Sequence, residues 1–147
     1  MTSGIEKCIC KIEVEIKISD KYEYQSGSEF FCNIPSKNLT FFLTNNHVLN
    51  QEFLDNSKKI KYSIEVDYIK YDYFLDLEKL RYKYTDEQLV FTVIEIIEKD
   101  NIYHFLEIDD FINSKDYKDE QIFTIEYPFC KNLKISYGKI KKEQIII

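Results

Sequence analysis

The 147-residue chain carries a formal net charge of -6, with 44% hydrophobic and 16% aromatic residues, 12 Tyr, 11 Phe, no Trp, 3 Gly and 2 Pro. That length and apolar content suit one domain with a real core and exclude a disordered composition. Its lysines are interspersed with Glu and Asp, which leaves no basic footprint for phosphates, so nucleic acid is not an expected partner.

Met1 to Lys7 contain no apolar stretch with a small-residue cleavage site, and no apolar run approaches membrane-spanning length. A soluble, cytoplasmic protein without a membrane partner is expected. Cys8, Cys10, Cys32 and Cys130 would permit two disulfides, but without a secretory signal the default is reduced, mostly buried thiols. The C-x-C spacing of Cys8 and Cys10 is weak evidence for metal, and neither a metal nor another cofactor is expected.

The run Ile12-Glu13-Val14-Glu15-Ile16-Lys17-Ile18 alternates apolar and charged residues, as a half-buried antiparallel strand requires. A turn is expected around Gln25-Ser26-Gly27, followed by a strand over Glu29–Ile34 that closes at Pro35. Leu39 to Thr44 reads as a third strand, and the short links favour an antiparallel meander. Asn45-Asn46-His47 is turn chemistry, and Val48 to Asn56 leaves room for a short helical turn.

Further strands are expected over Ile60–Tyr68, Tyr73–Leu77, Leu89–Ile97 and Gln121–Glu126, with Tyr103–Asp109 a weaker case. Many short strands at this spacing suggest a barrel or sandwich. The polar stretch Asn113 to Asp119 is the best boundary, and it divides the chain into 1–115 and 116–147. Tyr127-Pro128 is a second punctuation point. The last stretch ends in Ile145-Ile146-Ile147, an apolar terminus that wants a partner strand or core.

Gly27-Ser28-Glu29-Phe30-Phe31-Cys32 followed by Leu43-Thr44-Asn45-Asn46-His47-Val48-Leu49 resembles the Gly-Ser-Gly-Phe and Thr-x-x-His signature of trypsin-like serine proteases, in the family's order and spacing. The segments around Lys58-Lys59-Ile60, Tyr84-Thr85, Phe91 to Ile96, Asp100-Asn101-Ile102 and Phe105 to Asp109 resemble the rest of that family's first barrel in a divergent intracellular branch. Tyr127-Pro128 with Lys139-Ile140 resembles the opening of its second barrel. The resemblance implies an all-β fold: an antiparallel six-stranded barrel over 1–115 and an incomplete second barrel over 116–147.

It also implies that His47 occupies the position of the catalytic general base, a role suited to imidazole because its pKa lies near neutrality. The family's acid precedes the strand beginning at Phe91, and here that position is Val90. Valine cannot accept the imidazole proton, and loss of that function costs about four orders of magnitude in turnover. Asp86, in the loop ahead of the strand, is a poor substitute because a loop acid is usually just solvated. No Gly-x-Ser-Gly turn is present, and the only glycine after Gly27 is Gly138. Cys130 follows Pro128-Phe129 without glycines and reads as an ordinary thiol rather than a nucleophile.

Glu29 stands where the family has its second glycine, and either alters packing near the cleft or points to solvent. His104 has no metal-ligand spacing and reads as structural, as Asp109-Asp110 reads as a loop or helix cap.

The expected function is therefore a trypsin-like serine endopeptidase homologue, truncated or degenerate and inactive on its own. It would hold a protein or peptide partner at the incomplete barrel or cleft. One alternative is the front part of an active protease, completed by further sequence or a partner chain. The other is a small all-β interaction domain unrelated to proteases.

Overall fold

The computed structural model describes residues 4–108, 119–127 and 132–139. The proposed boundary at residue 115, Cys130, Asp109-Asp110 and the isoleucine-rich end lie outside these residues. The strands are β1 (Ile9–Ile18), β2 (Lys21–Ile34), β3 (Leu39–Asn45), β4 (Lys59–Val66), β5 (Ile69–Asp76), β6 (Lys83–Asp86), β7 (Phe91–Glu95), β8 (Leu106–Glu107), β9 (Gln121–Glu126) and β10 (Lys134–Lys139). One short helix, α1 (Gln51–Asn56), follows β3. The fold is mostly β, and no described helix is long and apolar enough to cross a membrane.

The principal sheet has eight strands in the order β5-β4-β1-β2-β3-β7-β6, with β8 paired in parallel to β2 and the other ladders antiparallel. Among the described residues this is an open path, because no ladder joins β5 to β6 and closes it into a barrel. Yet the two ends of the path are consecutive in the chain, linked by Leu77 to Tyr82. Each end of that link keeps a bond to its neighbour: the Leu77 N–H donates to the Lys58 carbonyl at 2.8 Å, and the Glu95 N–H to the Tyr82 carbonyl at 2.8 Å.

The alternation in β1 buries Ile12 and Val14 while Glu13 and Lys11 pair on the other face at 3.0 Å. These side chains join Cys10, Phe31, Phe42, Ile60, Leu75 and Ile94 in the main core. Three rings knit its centre: Phe31 lies 5.5 Å from Phe42 and 5.7 Å from Tyr62. Fully burying each such side chain contributes roughly 1.5–3 kcal/mol. Ile9 points the opposite way from Cys10 and founds a smaller core with Ile125 and Tyr127. That contact seats the two-stranded β9–β10 sheet, and the Tyr127 N–H donates to Ser28 Oγ at 3.0 Å.

Three boundaries differ from expectation. Gln25-Ser26-Gly27 is no turn but the middle of the 14-residue strand β2, and the chain reverses earlier, where Ser19 takes a positive φ of 57°. Asp67 and Tyr68, both with positive φ, form the two-residue hairpin between β4 and β5, which starts four residues before Tyr73. The run Leu89–Ile97 contains only β7, and its partner β6 was not anticipated because Lys83-Tyr84-Thr85-Asp86 is too polar to signal a strand.

Candidate functional site

His47 sits in the turn that leaves β3. The Val48 and Leu49 N–H groups both donate to the Asn45 carbonyl at 3.1 Å, and the two side chains are buried, so the loop is pinned through its apolar half. Asn50 then caps α1, its Oδ1 accepting from the Phe53 N–H at 3.0 Å. Between these anchors the His47 side chain is exposed. Among the described residues no hydrogen bond or ion pair engages its imidazole.

Gly27 explains how the turn fits. A Cβ at this position would lie 2.7 Å from Val48 Cγ2, so the absent side chain lets the residue after His47 close on β2.

Val90 lies beside the same turn. Its carbonyl accepts from the Asn46 N–H at 3.3 Å, which sets the triad-acid position of the resemblance against the residue preceding His47. Val90 adopts φ 61° and is 49% exposed, an uncommon conformation for a β-branched residue. The β6–β7 connection is held instead by Asp86. Its Oδ1 accepts from the Leu89 N–H at 2.8 Å and its Oδ2 from the Tyr84 hydroxyl at 3.0 Å. The Leu89 N–H, with the Tyr84 hydroxyl behind it, holds the Asp86 carboxyl below its ordinary pKa. Both oxygens thus serve their own hairpin, and neither reaches His47.

A chain of hydrogen bonds missed by sequence reasoning ties the two loops together. Asn46 Nδ2 donates to Thr85 Oγ1 at 2.7 Å, Thr85 Oγ1 lies 2.6 Å from Thr92 Oγ1, and Thr92 Oγ1 donates to the Leu49 carbonyl at 2.6 Å. The amide can only donate and the carbonyl can only accept, so Thr92 spends its single proton on Leu49 and Thr85 is the donor between them. The available signal was threonine at inward positions of otherwise apolar strands: Thr44 and Thr92 are paired and buried.

Glu29 points inward. It is fully buried opposite Cys10, and neither carboxyl oxygen has a hydrogen-bond partner among the described residues. Burial pushes its pKa well above the carboxylate range, and the nearby Thr44 hydroxyl offsets this only in part without reaching bonding geometry. Cys10 is raised by the same burial and by Glu29, while burial brings Cys32 up to about 11. Cys8, Cys10 and Cys32 are free, buried thiols, and no cluster of metal-ligating side chains occurs among the described residues.

His104 is exposed and lines a cleft with the segment Asp100 to Tyr103, a lining that does not include His47. Among the described residues no serine, cysteine or carboxylate is hydrogen-bonded to His47. No protein-family model matches this chain, and no curated protein matches it.

Proposed function

We propose that this chain is a trypsin-like serine endopeptidase homologue without hydrolytic activity of its own, in which the first barrel persists as a binding module for a protein or peptide. The observation carrying the reading is the Asn46 N–H to Val90 carbonyl bond, because it couples the turn bearing the ancestral base to the position of the ancestral acid. Gly27 under Val48 supports it further, since the first glycine of the signature then has a packing role beside the histidine.

The strand order agrees with a barrel if β5 and β6 are the two halves of one bent strand. The link Leu77 to Tyr82, bonded to the β4 side at one end and to β7 at the other, supports that count of six. Inactivity follows from chemistry: valine at position 90 cannot fix the imidazole tautomer, and His47 has no hydroxyl or thiol to deprotonate among the described residues.

The test is labelling with a fluorophosphonate probe alongside a fluorogenic peptide assay. No labelling and no turnover are expected from the purified chain and equally from Val90→Asp, which restores an acid without a nucleophile. Stoichiometric labelling of the purified chain that disappears in His47→Ala would overturn the reading, because the chain would then carry its own nucleophile, whereas labelling that arises only when further sequence or a partner chain is supplied favours the front part of an active protease. The small interaction domain unrelated to proteases gains if His47→Ala and Val90→Asp both leave partner binding unchanged while substitutions elsewhere abolish it.

A further inference from the structure

A cleft of about 690 Å³ opens on the core-facing side of the β4–β5 hairpin, away from the His47 turn. Its floor is the core itself, Phe31 and Tyr62, both buried. Tyr62 stacks on its cross-strand partner Tyr73 at 5.4 Å and 22°. Further along the hairpin the inward positions continue as Ile64, which is partly buried against the core, and Tyr71, which is left largely open. Tyr71 and Tyr73 are 45% and 44% exposed although they alternate in step with buried Leu75. An apolar surface that begins inside the core and ends open to solvent is a ligand-sized cavity by volume and by lining.

The rim supplies charge. Lys7, Lys79 and Lys99 all line the cleft, and among the described residues none of them is in an ion pair. Two acids lie nearby, yet Asp100 is spent: both its oxygens bind the buried Arg81 guanidinium at 2.8 and 2.9 Å. Asp76 is left, with one oxygen accepting from the Glu78 N–H at 2.9 Å. Three cations thus face one acid in a chain whose net charge is -6. Such a local reversal of sign over aromatic walls favours an anion with an apolar body.

We propose that this cleft binds a small amphipathic anion, its flat or branched apolar body against Tyr62, Tyr71, Tyr73 and Ile102 and its carboxylate, sulfonate or phosphate head between Lys79 and Lys99. The site is independent of the protease reading and does not require His47.

The test uses two fluorescent probes on the intact chain: anionic 8-anilinonaphthalene-1-sulfonate and neutral N-phenyl-1-naphthylamine. One saturable site per chain is expected for each. Lys79→Glu with Lys99→Glu weakens the sulfonate about tenfold, the scale of reversing two partly exposed charges, and leaves the neutral probe within about twofold. Tyr73→Ser weakens both, and should it unfold the chain, the exposed lysine pair still decides the matter. Reversing Lys21 and Lys37, exposed residues outside the cleft, changes neither probe. Absence of saturable binding, insensitivity of the sulfonate to Lys79 and Lys99, or equal loss in the Lys21 and Lys37 variant overturns the proposal.

Discussion

Thr92 Oγ1 donates to the Leu49 carbonyl at 2.6 Å across the buried interface between β7 and the His47 turn. This bond ends a relay from Asn46 through Thr85, so one hydroxyl deep in the sheet helps fix an exposed loop. Thr92→Val keeps the shape but leaves the Leu49 carbonyl without its hydroxyl donor, while the Thr85 hydroxyl falls back on the Phe91 carbonyl at 3.3 Å. A loss of about 1–3 kcal/mol is expected in urea unfolding, while Thr92→Ser recovers most of it.

Gly27→Ala forces a methyl against Cγ2 of the buried Val48. Overpacking of this kind costs about 1–3 kcal/mol. Combining it with Val48→Ala removes the clash, so the double variant is expected to be more stable than the sum of the single losses predicts. A double-mutant cycle by chemical denaturation measures the coupling.

Glu29 is expected to make stability depend on pH with a definite sign. Its folded pKa is raised by burial, so the folded state holds a proton that the unfolded chain releases above the ordinary glutamate value. The stability it contributes is fully present below that value and is lost as pH rises through the folded pKa. Glu29→Gln needs no proton to stay neutral. The variant should therefore be more stable than the parent at pH 7, by at least about 1 kcal/mol, with the gap closing toward pH 4. Unfolding midpoints across that range, with Cys10 also replaced by Ala to remove the facing thiol, check both sign and window.

Val90 holds a left-handed backbone at φ 61° with half its side chain in water. Asparagine tolerates that conformation far better than a β-branched residue, and little packing is lost. Val90→Asn is expected to raise stability by about 1 kcal/mol, visible as a higher thermal midpoint.

Arg81 has no side-chain exposure and Asp100 only 6%, so their bidentate pair is enclosed. Asp100 also accepts from the Ile97 N–H at 2.8 Å. Asp100→Ala strands a buried guanidinium and is expected to cost about 3–5 kcal/mol, whereas removing both charges together costs less than the sum.

Where period-two alternation was strong, the sequence was a good guide: Ile12 and Val14 lie inward as expected, and β3 and β9 fall on the predicted runs. It misled where one residue type serves two purposes. Gly27 reads as part of a turn signal, yet it sits mid-strand, where its missing side chain makes room for Val48. At Glu29 the sequence left solvent and interior equally open, since a charge cannot reveal that its register partner is the buried Cys10. The threonine relay and the tyrosine cleft were harder to read for another reason. Each is completed by residues remote from its own hairpin, Leu49 beyond Thr85 and Thr92 in the relay and Phe31 and Ile102 beside Tyr62 and Tyr73 in the cleft, and such meetings are not written in any local pattern.

The connection from Leu77 to Tyr82, described as a link between the two edges of the sheet, also governs what happens when the sheet opens. If the β4–β5 hairpin peels from β1, it stays tethered on both sides, upstream through the His47 turn and α1 and downstream through those six residues to β6. A tether so short keeps the freed edge at an effective concentration in the millimolar range near its own partner. Reclosure within the molecule is then favoured over pairing of the freed strand edge with a second copy at ordinary protein concentrations.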